Sequence, residues 1–166
     1  MEINVTVEIP MGSRNKYELD HVTGRIRLDR TLFTATRYPA DYGFIEQTLS
    51  EDGDPLDCLV MVSEPTFPGC LIVARPIGVF WMRDEKGPDA KILAVPAADS
   101  RQEVNDIEEL PKYVLLEISH FFDIYKDLEP GKSSDVHGWE GHLQAEREIE
   151  RSRQRFEAAG ARDGGR

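Results

Sequence analysis

Residues 2 to 9 alternate without a break: Ile3, Val5, Val7 and Ile9 fall on one face, Glu2, Asn4, Thr6 and Glu8 on the other. A period of two predicts a half-buried strand with Glu8 on its polar side. Alternation resumes over 15–20 and 25–29, separated by Val22-Thr23-Gly24, which predicts a hairpin. Lys16, Glu18 and Asp20 share one face of it, opposite Tyr17 and Leu19, and Arg30 ends the second arm. Apolar runs between Gly and Pro punctuation predict further strands over 42–47, 56–62, 70–82 and 91–95, with Pro76 and Gly78 bending or bulging the longest. Helical spacing comes only late. Val114, Ile118, Phe121 and Tyr125 repeat at helical intervals after Pro111, a residue suited to a first turn. Ala145, Ile149, Ser152 and Phe156 do so again, with Arg147, Arg151 and Arg155 opposite. Many strands followed by two helices predict a mainly β domain, a small barrel with both helices packed outside, rather than a parallel βαβ sheet. One domain is expected over 1–159, and Gly160 to Arg166 reads as a frayed tail.

Composition narrows the partners. A chain of 166 residues is long enough for one real core. Its 31 acids against 20 bases give a net charge of −11, which argues against nucleic acid or an anionic membrane. A polyanionic substrate would need a local basic cluster or metal ions to overcome that field. Cys58 and Cys70 lie in apolar stretches, which fits small core thiols in a reduced cytoplasm better than a disulfide. The start, Met1-Glu2-Ile3-Asn4, has no basic and apolar leader, and no apolar run approaches about 18 residues.

Within this acidic chain, Asp52-Gly53-Asp54-Pro55-Leu56-Asp57 packs three carboxylates into one short turn. Such acids repel one another at neutral pH unless a positive charge sits among them. Gly53 and Pro55 shape the backbone sharply, and hard divalent cations such as Mg²⁺ take oxygen ligands of this kind. The same residues also make an ordinary polar turn, so this segment alone leaves both readings open. Asp84-Glu85-Lys86-Gly87-Pro88-Asp89-Ala90-Lys91 reads as a second acidic loop with a lysine at its exit, and Tyr125-Lys126 closes the first helix. Individually, Glu8, Glu18 and Asp20 read as solvated strand faces, Arg30 as a surface ion-pair partner, and Tyr38 and Tyr42 as core residues with wet hydroxyls. His21 reads as a surface histidine, and His120, His137 and His142 lack zinc spacing. Taken together the groups complement one another: carboxylates for divalent ions, and lysines, an arginine and tyrosine hydroxyls for phosphate oxygens.

The turn 52–57 followed by Cys58 resembles the signature of the soluble (Family I) inorganic pyrophosphatases: Asp, small, Asp, Pro, apolar, Asp, then a small or apolar residue. The resemblance runs along nearly the whole chain, through Glu8, Lys16-Tyr17-Glu18, Arg30, Tyr38-Pro39-Ala40-Asp41-Tyr42-Gly43, Asp84-Glu85, Asp89-Ala90-Lys91 and Tyr125-Lys126-Asp127-Leu128-Glu129. It implies a five-stranded closed OB-like barrel carrying two helices, hydrolysis of Mg²⁺-complexed pyrophosphate, and a homo-oligomer, hexameric in bacterial members. By the same resemblance Asp52, Asp57 and Asp89 are ligands of activating Mg²⁺ ions, with Asp57 bridging two. Asp84 and Glu8 hold further ions, partly through water. Asp54 is the base that orients or deprotonates the attacking water, with Asp89 the other candidate. Lys16, Arg30, Tyr42, Tyr125 and Lys126 grip the phosphates, Lys91 and Tyr38 give flanking support to that substrate site, and Glu18 and Glu85 match acidic positions around it. Lys86 adds a positive charge where relatives vary. Three rivals compete. An EF-hand would need an acid where Leu56 stands and flanking helices. An OB-type nucleic-acid module would need basic strands with exposed aromatics. A nucleotide phosphohydrolase would need a base-stacking pocket, which the motifs lack.

Overall fold

The computed structural model describes residues 1–101 and 103–163. The alternating N-terminal segment forms β1 (Ile3–Ile9), and Ile3, Val5, Val7 and Ile9 are all buried. It is joined by β4 (Asp41–Ile45), β5 (Asp57–Val60), β7 (Gly87–Pro96) and β6 (Leu71–Asp84), in the spatial order β1-β4-β5-β7-β6. Strand β6 pairs back onto β1, which closes a ring of five strands. All of these pairings are antiparallel except β5 with β7. The ring is the expected OB-like barrel. Its closure depends on β6, whose first half pairs with β1 and whose second half pairs with an outer strand, β8 (Ser134–Gly141). The register against β7 shifts between Pro76 and Gly78, where the strand changes direction. A bulge at this place was legible from the proline and glycine.

Successive residues of β5 and β7 belong to different buried clusters. Leu59, Leu93 and Val95 pack with Ile118, Phe121, Phe122 and Tyr125 at the end of helix α1 (Lys112–Ile124). Cys58, Val60, Ile92 and Ala94 pack with Ala145 and Ile149 of helix α2 (His142–Asp163). Both sides of the wall are therefore apolar, which is why these strands read as continuous hydrophobic runs rather than alternations. A separate hairpin, β2 (Asn15–Leu19) and β3 (Ile26–Thr31), lies beside the ring. The Glu8 carboxylate accepts a hydrogen bond from the Leu19 N–H at 2.8 Å and ties the two together.

Several expectations are corrected. The segment 84–91 is not a loop: β6 runs to Asp84 and β7 starts at Gly87, leaving only Glu85 and Lys86 as the turn. Asp89 and Lys91 are therefore strand residues. Strand β8 went unpredicted because it is polar, rich in glycine and only half-buried. Helix α2 extends to Asp163, so residues 160–163 of the expected tail are helical, and 164–166 lie outside the described residues. Of the second helical repeat, Ala145, Ile149 and Ser152 are fully buried, whereas Phe156 is exposed. Among the described residues no helix is long and apolar enough to cross a membrane.

One glycine is demanded by the barrel. A Cβ at Gly43 would lie 1.9 Å from the Thr6 carbonyl oxygen, on backbone that cannot swing aside without breaking the β1–β4 ladder. Gly43→Ala is expected to destabilise the protein by at least about 3 kcal/mol in urea unfolding. A change under about 0.5 kcal/mol would show that the two strands do not approach so closely.

Candidate active site

A cleft of about 540 Å³ opens where the β2–β3 hairpin, the turn 52–57, the β6–β7 turn and the end of α1 meet. Each of these segments supplies charge. Glu8 comes from β1, Lys16 from β2, Arg30 from β3, Tyr42 from β4, and Asp52, Asp54 and Asp57 from the turn and the first residue of β5. Asp84, Asp89 and Lys91 come from β6 and β7, and Tyr125 and Lys126 from the end of α1. Every proposed site residue lines this cleft except Tyr38. That ring is buried behind Tyr42, 5.4 Å from it and 4.8 Å from Phe121 between ring centroids. Tyr38 therefore acts by packing, and the expectation that it flanks the phosphates directly is corrected.

The floor of the cleft is Lys91. Parallel pairing of β5 with β7 sets Asp57 opposite Lys91, and the two-residue strand period puts Asp89 on the same face. The Lys91 ammonium donates to the Tyr42 hydroxyl at 2.7 Å, to Asp57 at 2.9 Å and to Asp89 at 3.2 Å. It is 1% exposed and also stands 5.0 Å from the centre of the Phe122 ring. Burial pulls its pKa down, but the carboxylates of Asp57 and Asp89 outweigh burial and hold the proton on. A residue expected to flank the site thus sits at its centre. With the Lys91 ammonium donating to its oxygen, the Tyr42 hydroxyl keeps its own proton free for another acceptor. Burial raises the pKa of both Tyr42 and Tyr125, so both are O–H donors at neutral pH.

Most cations around the rim are held by acids. Lys16 pairs with Glu18 at 2.6 Å and Asp29 at 3.2 Å, and Lys126 with Asp84 at 3.4 Å and Glu85 at 3.3 Å. Arg30 is gripped by Asp29 and Glu129, and Lys132 reaches Glu129 at 3.3 Å. Glu129 is buried and fixes Arg30 across the cleft, a role that sequence reasoning did not assign. The only sequence signal was an acid in the stretch 125–129, four residues after Tyr125. His21 is exposed, as its reading as a surface histidine predicts, and its ring stands 5.1 Å from that of Phe44 at the edge of the cleft.

The acids outnumber their partners. Nine carboxyl side chains and six lysine or arginine side chains line the cleft. Burial pushes Glu8 up to about 7, against the opposing Leu19 hydrogen bond, and pushes Asp89 up to about 6 despite Lys91. Burial and the neighbouring Asp54, Asp57 and Asp84 charges also raise Asp52, although it accepts the Asp54 N–H at 3.0 Å. Asp54 is exposed, and its carboxylate has no hydrogen-bond or ion-pair partner among the described residues. Among the described residues no three His, Cys, Asp or Glu side chains are already gathered as a ligand set. What fits a divalent ion is the chemistry of the donors: oxygen ligands only, in excess of positive charge, around a buried floor.

Residues 5–157 match the family model described as inorganic pyrophosphatase. The chain is 62% identical to the inorganic pyrophosphatase of Streptomyces coelicolor, covering 96% of this chain and 99% of that protein. Its fold is similar to the crystal structure of inorganic pyrophosphatase from Thermus thermophilus, with a TM-score of 0.92 and 45% identity over 94% of this chain and 91% of that one. It is also similar to the enzyme from Helicobacter pylori, with a TM-score of 0.91 and 40% identity over 94% of each chain.

The raised acids fix the sign of a pH effect. A carboxyl whose folded pKa lies above its unfolded value binds its proton more tightly when folded, so ionising it costs stability. In EDTA the protein is expected to lose stability as pH rises from about 4.5 to 7, with Glu8 contributing about 3 kcal/mol. Glu8→Gln is expected to flatten that slope in thermal or urea unfolding. Equal slopes for the two proteins would mean that Glu8 ionises without penalty.

Proposed function

The chain belongs to the inorganic pyrophosphatase family, and from that membership we propose that it hydrolyses pyrophosphate to two phosphates by direct attack of water, in a Mg²⁺-dependent reaction. The observation that carries this reading is the surplus of carboxylates in one cleft where, among the described residues, every lysine and arginine but Lys86 is already engaged. Such a site binds a polyanion poorly by itself and well together with divalent ions.

Glu8, Asp52, Asp57, Asp84 and Asp89 are the residues that would hold Mg²⁺. When bound, the ions neutralise phosphate oxygens and acidify water. The remaining work falls to this chain's own groups. Asp54, exposed at the rim and unengaged, orients the attacking water and takes its proton on a carboxylate oxygen. Asp89, committed to Lys91 at 3.0 Å, is less free for that task, which favours Asp54 over the alternative. The new P–O bond forms as the bridging P–O bond breaks, and the electron pair leaves with the departing phosphate. Lys16, Arg30, Lys126 and the Tyr42 and Tyr125 hydroxyls donate to phosphate oxygens and stabilise that charge. Glu129 holds Arg30 in place for this.

We also infer a homo-oligomer, hexameric by resemblance, supported by apolar side chains exposed on the barrel wall such as Leu71 and Val73. A cytoplasmic setting is supported by two free thiols, Cys58 buried and Cys70 partly so.

With saturating Mg²⁺ the protein is expected to release phosphate rapidly from pyrophosphate, far faster than from ATP, and EDTA is expected to abolish the activity. Absence of turnover, or a preference for ATP, would contradict the reading. Asp54→Asn is expected to lower kcat by about 10²–10⁴ with the fold intact. A near-normal rate in stopped-flow assays would move the base to Asp89.

A further inference from the structure

Among the described residues, Lys86 is the one lysine or arginine of the cleft that has no acid partner. It occupies the two-residue turn between β6 and β7, is exposed, and lines the cleft beside Asp84 and Glu85. Its backbone N–H donates to the Asp84 carboxylate at 2.8 Å, which fixes the turn and sets where the side chain begins. Lys16, Arg30, Lys91, Lys126 and Lys132 all lie in ion pairs with carboxylates. The Lys86 ammonium lies in none among the described residues. An engaged cation presents a dipole to an approaching anion, whereas a free one presents a full charge, whose pull dies away more slowly with distance. A lone charge at the mouth of a cleft bends the field along the path of entry, while the groups inside decide what happens after arrival.

We propose that Lys86 is the capture residue of this site: it attracts the Mg²⁺–pyrophosphate anion at the rim and hands it to the paired cations within. The proposal rests on the pyrophosphatase reading above and adds to it a residue that controls entry rather than chemistry. Binding energy at the rim is felt alike by the ground state and the transition state, so it acts on kcat/KM and leaves kcat to the inner groups.

The test uses the wild-type protein with Lys86→Ala, Lys86→Glu and Lys86→Arg at one saturating free Mg²⁺ concentration. At low ionic strength Lys86→Ala is expected to lose about threefold in kcat/KM and Lys86→Glu about tenfold, with kcat within about twofold and Lys86→Arg restored. Both deficits are expected to shrink as NaCl is raised to about 0.15 M, because rim charges are screened over about 8 Å. A deficit that persists in salt, falls on kcat, or is not repaired by arginine would overturn the proposal in favour of a role in turn structure. So would variants that match wild type at low salt. Calorimetric binding of methylenediphosphonate, a non-hydrolysable analogue, separates the two readings. If wild type fails to turn over but binds the analogue more tightly than Lys86→Glu at low salt, the hydrolytic reading falls and capture by Lys86 stands. Equal affinities would remove Lys86 whatever the activity.

Discussion

One buried ammonium makes the rest of the cleft possible. Lys91 lies at the base of the acidic cluster, shared by Asp57, Asp89 and the Tyr42 hydroxyl. Three strands meet at this contact: β4 through Tyr42, β5 through Asp57, and β7 through Asp89 and Lys91 itself. Without that charge, two carboxylates would face each other across an apolar floor formed by Phe122 and the barrel wall, and at least one would stay protonated. With it, the acids above can remain anionic and available. The parallel register of β5 on β7 is thus an electrostatic device as well as a packing one.

Around this floor the charges are arranged in mutual restraint. Cations that could bind phosphate are steadied by acids, and acids that could bind metal are steadied by cations, as with Lys126 between Asp84 and Glu85. Preorganisation of this kind lowers the cost of ordering long side chains when a substrate arrives. It also leaves nine carboxyl groups against six cations, and burial first, with neighbouring carboxylates second, raises the pKa values of Glu8, Asp52 and Asp89. Divalent ions that travel with pyrophosphate would relieve that shortage of positive charge and neutralise the substrate at once. An acidic protein acting on an anionic substrate then holds no paradox.

Much of this could be read from the chain, and the misses have physical causes. Strand β1 declared itself because one of its faces is buried and the other is not. The turn 52–57 stood out because three acids around Gly53 and Pro55 are hard to place without a cation. Asp84 to Lys91 looked like a loop because strands that face a charged cleft carry polar residues, and pattern reading mistakes them for solvent. The burial of Lys91 was not legible, since a fully buried lysine is rare and only the parallel register reveals it. The family resemblance set Tyr38 beside the substrate, whereas its reading as a core tyrosine describes where its ring lies. Glu129 gave little signal, because its role depends on a contact with Arg30, far away in sequence. Strand β8 escaped because a half-exposed outer strand needs little apolar content.

The claim that everything turns on is the deficit of positive charge among these acids. It can be measured by titrating Mg²⁺ into metal-free protein at pH 6.5 in buffers of different ionisation enthalpy, which yields the number of protons exchanged on binding. Glu8 and Asp89 titrate near that pH, so binding is expected to release protons, and Glu8→Gln is expected to release fewer. Magnesium that binds without proton release, or does not bind at all, would contradict the account.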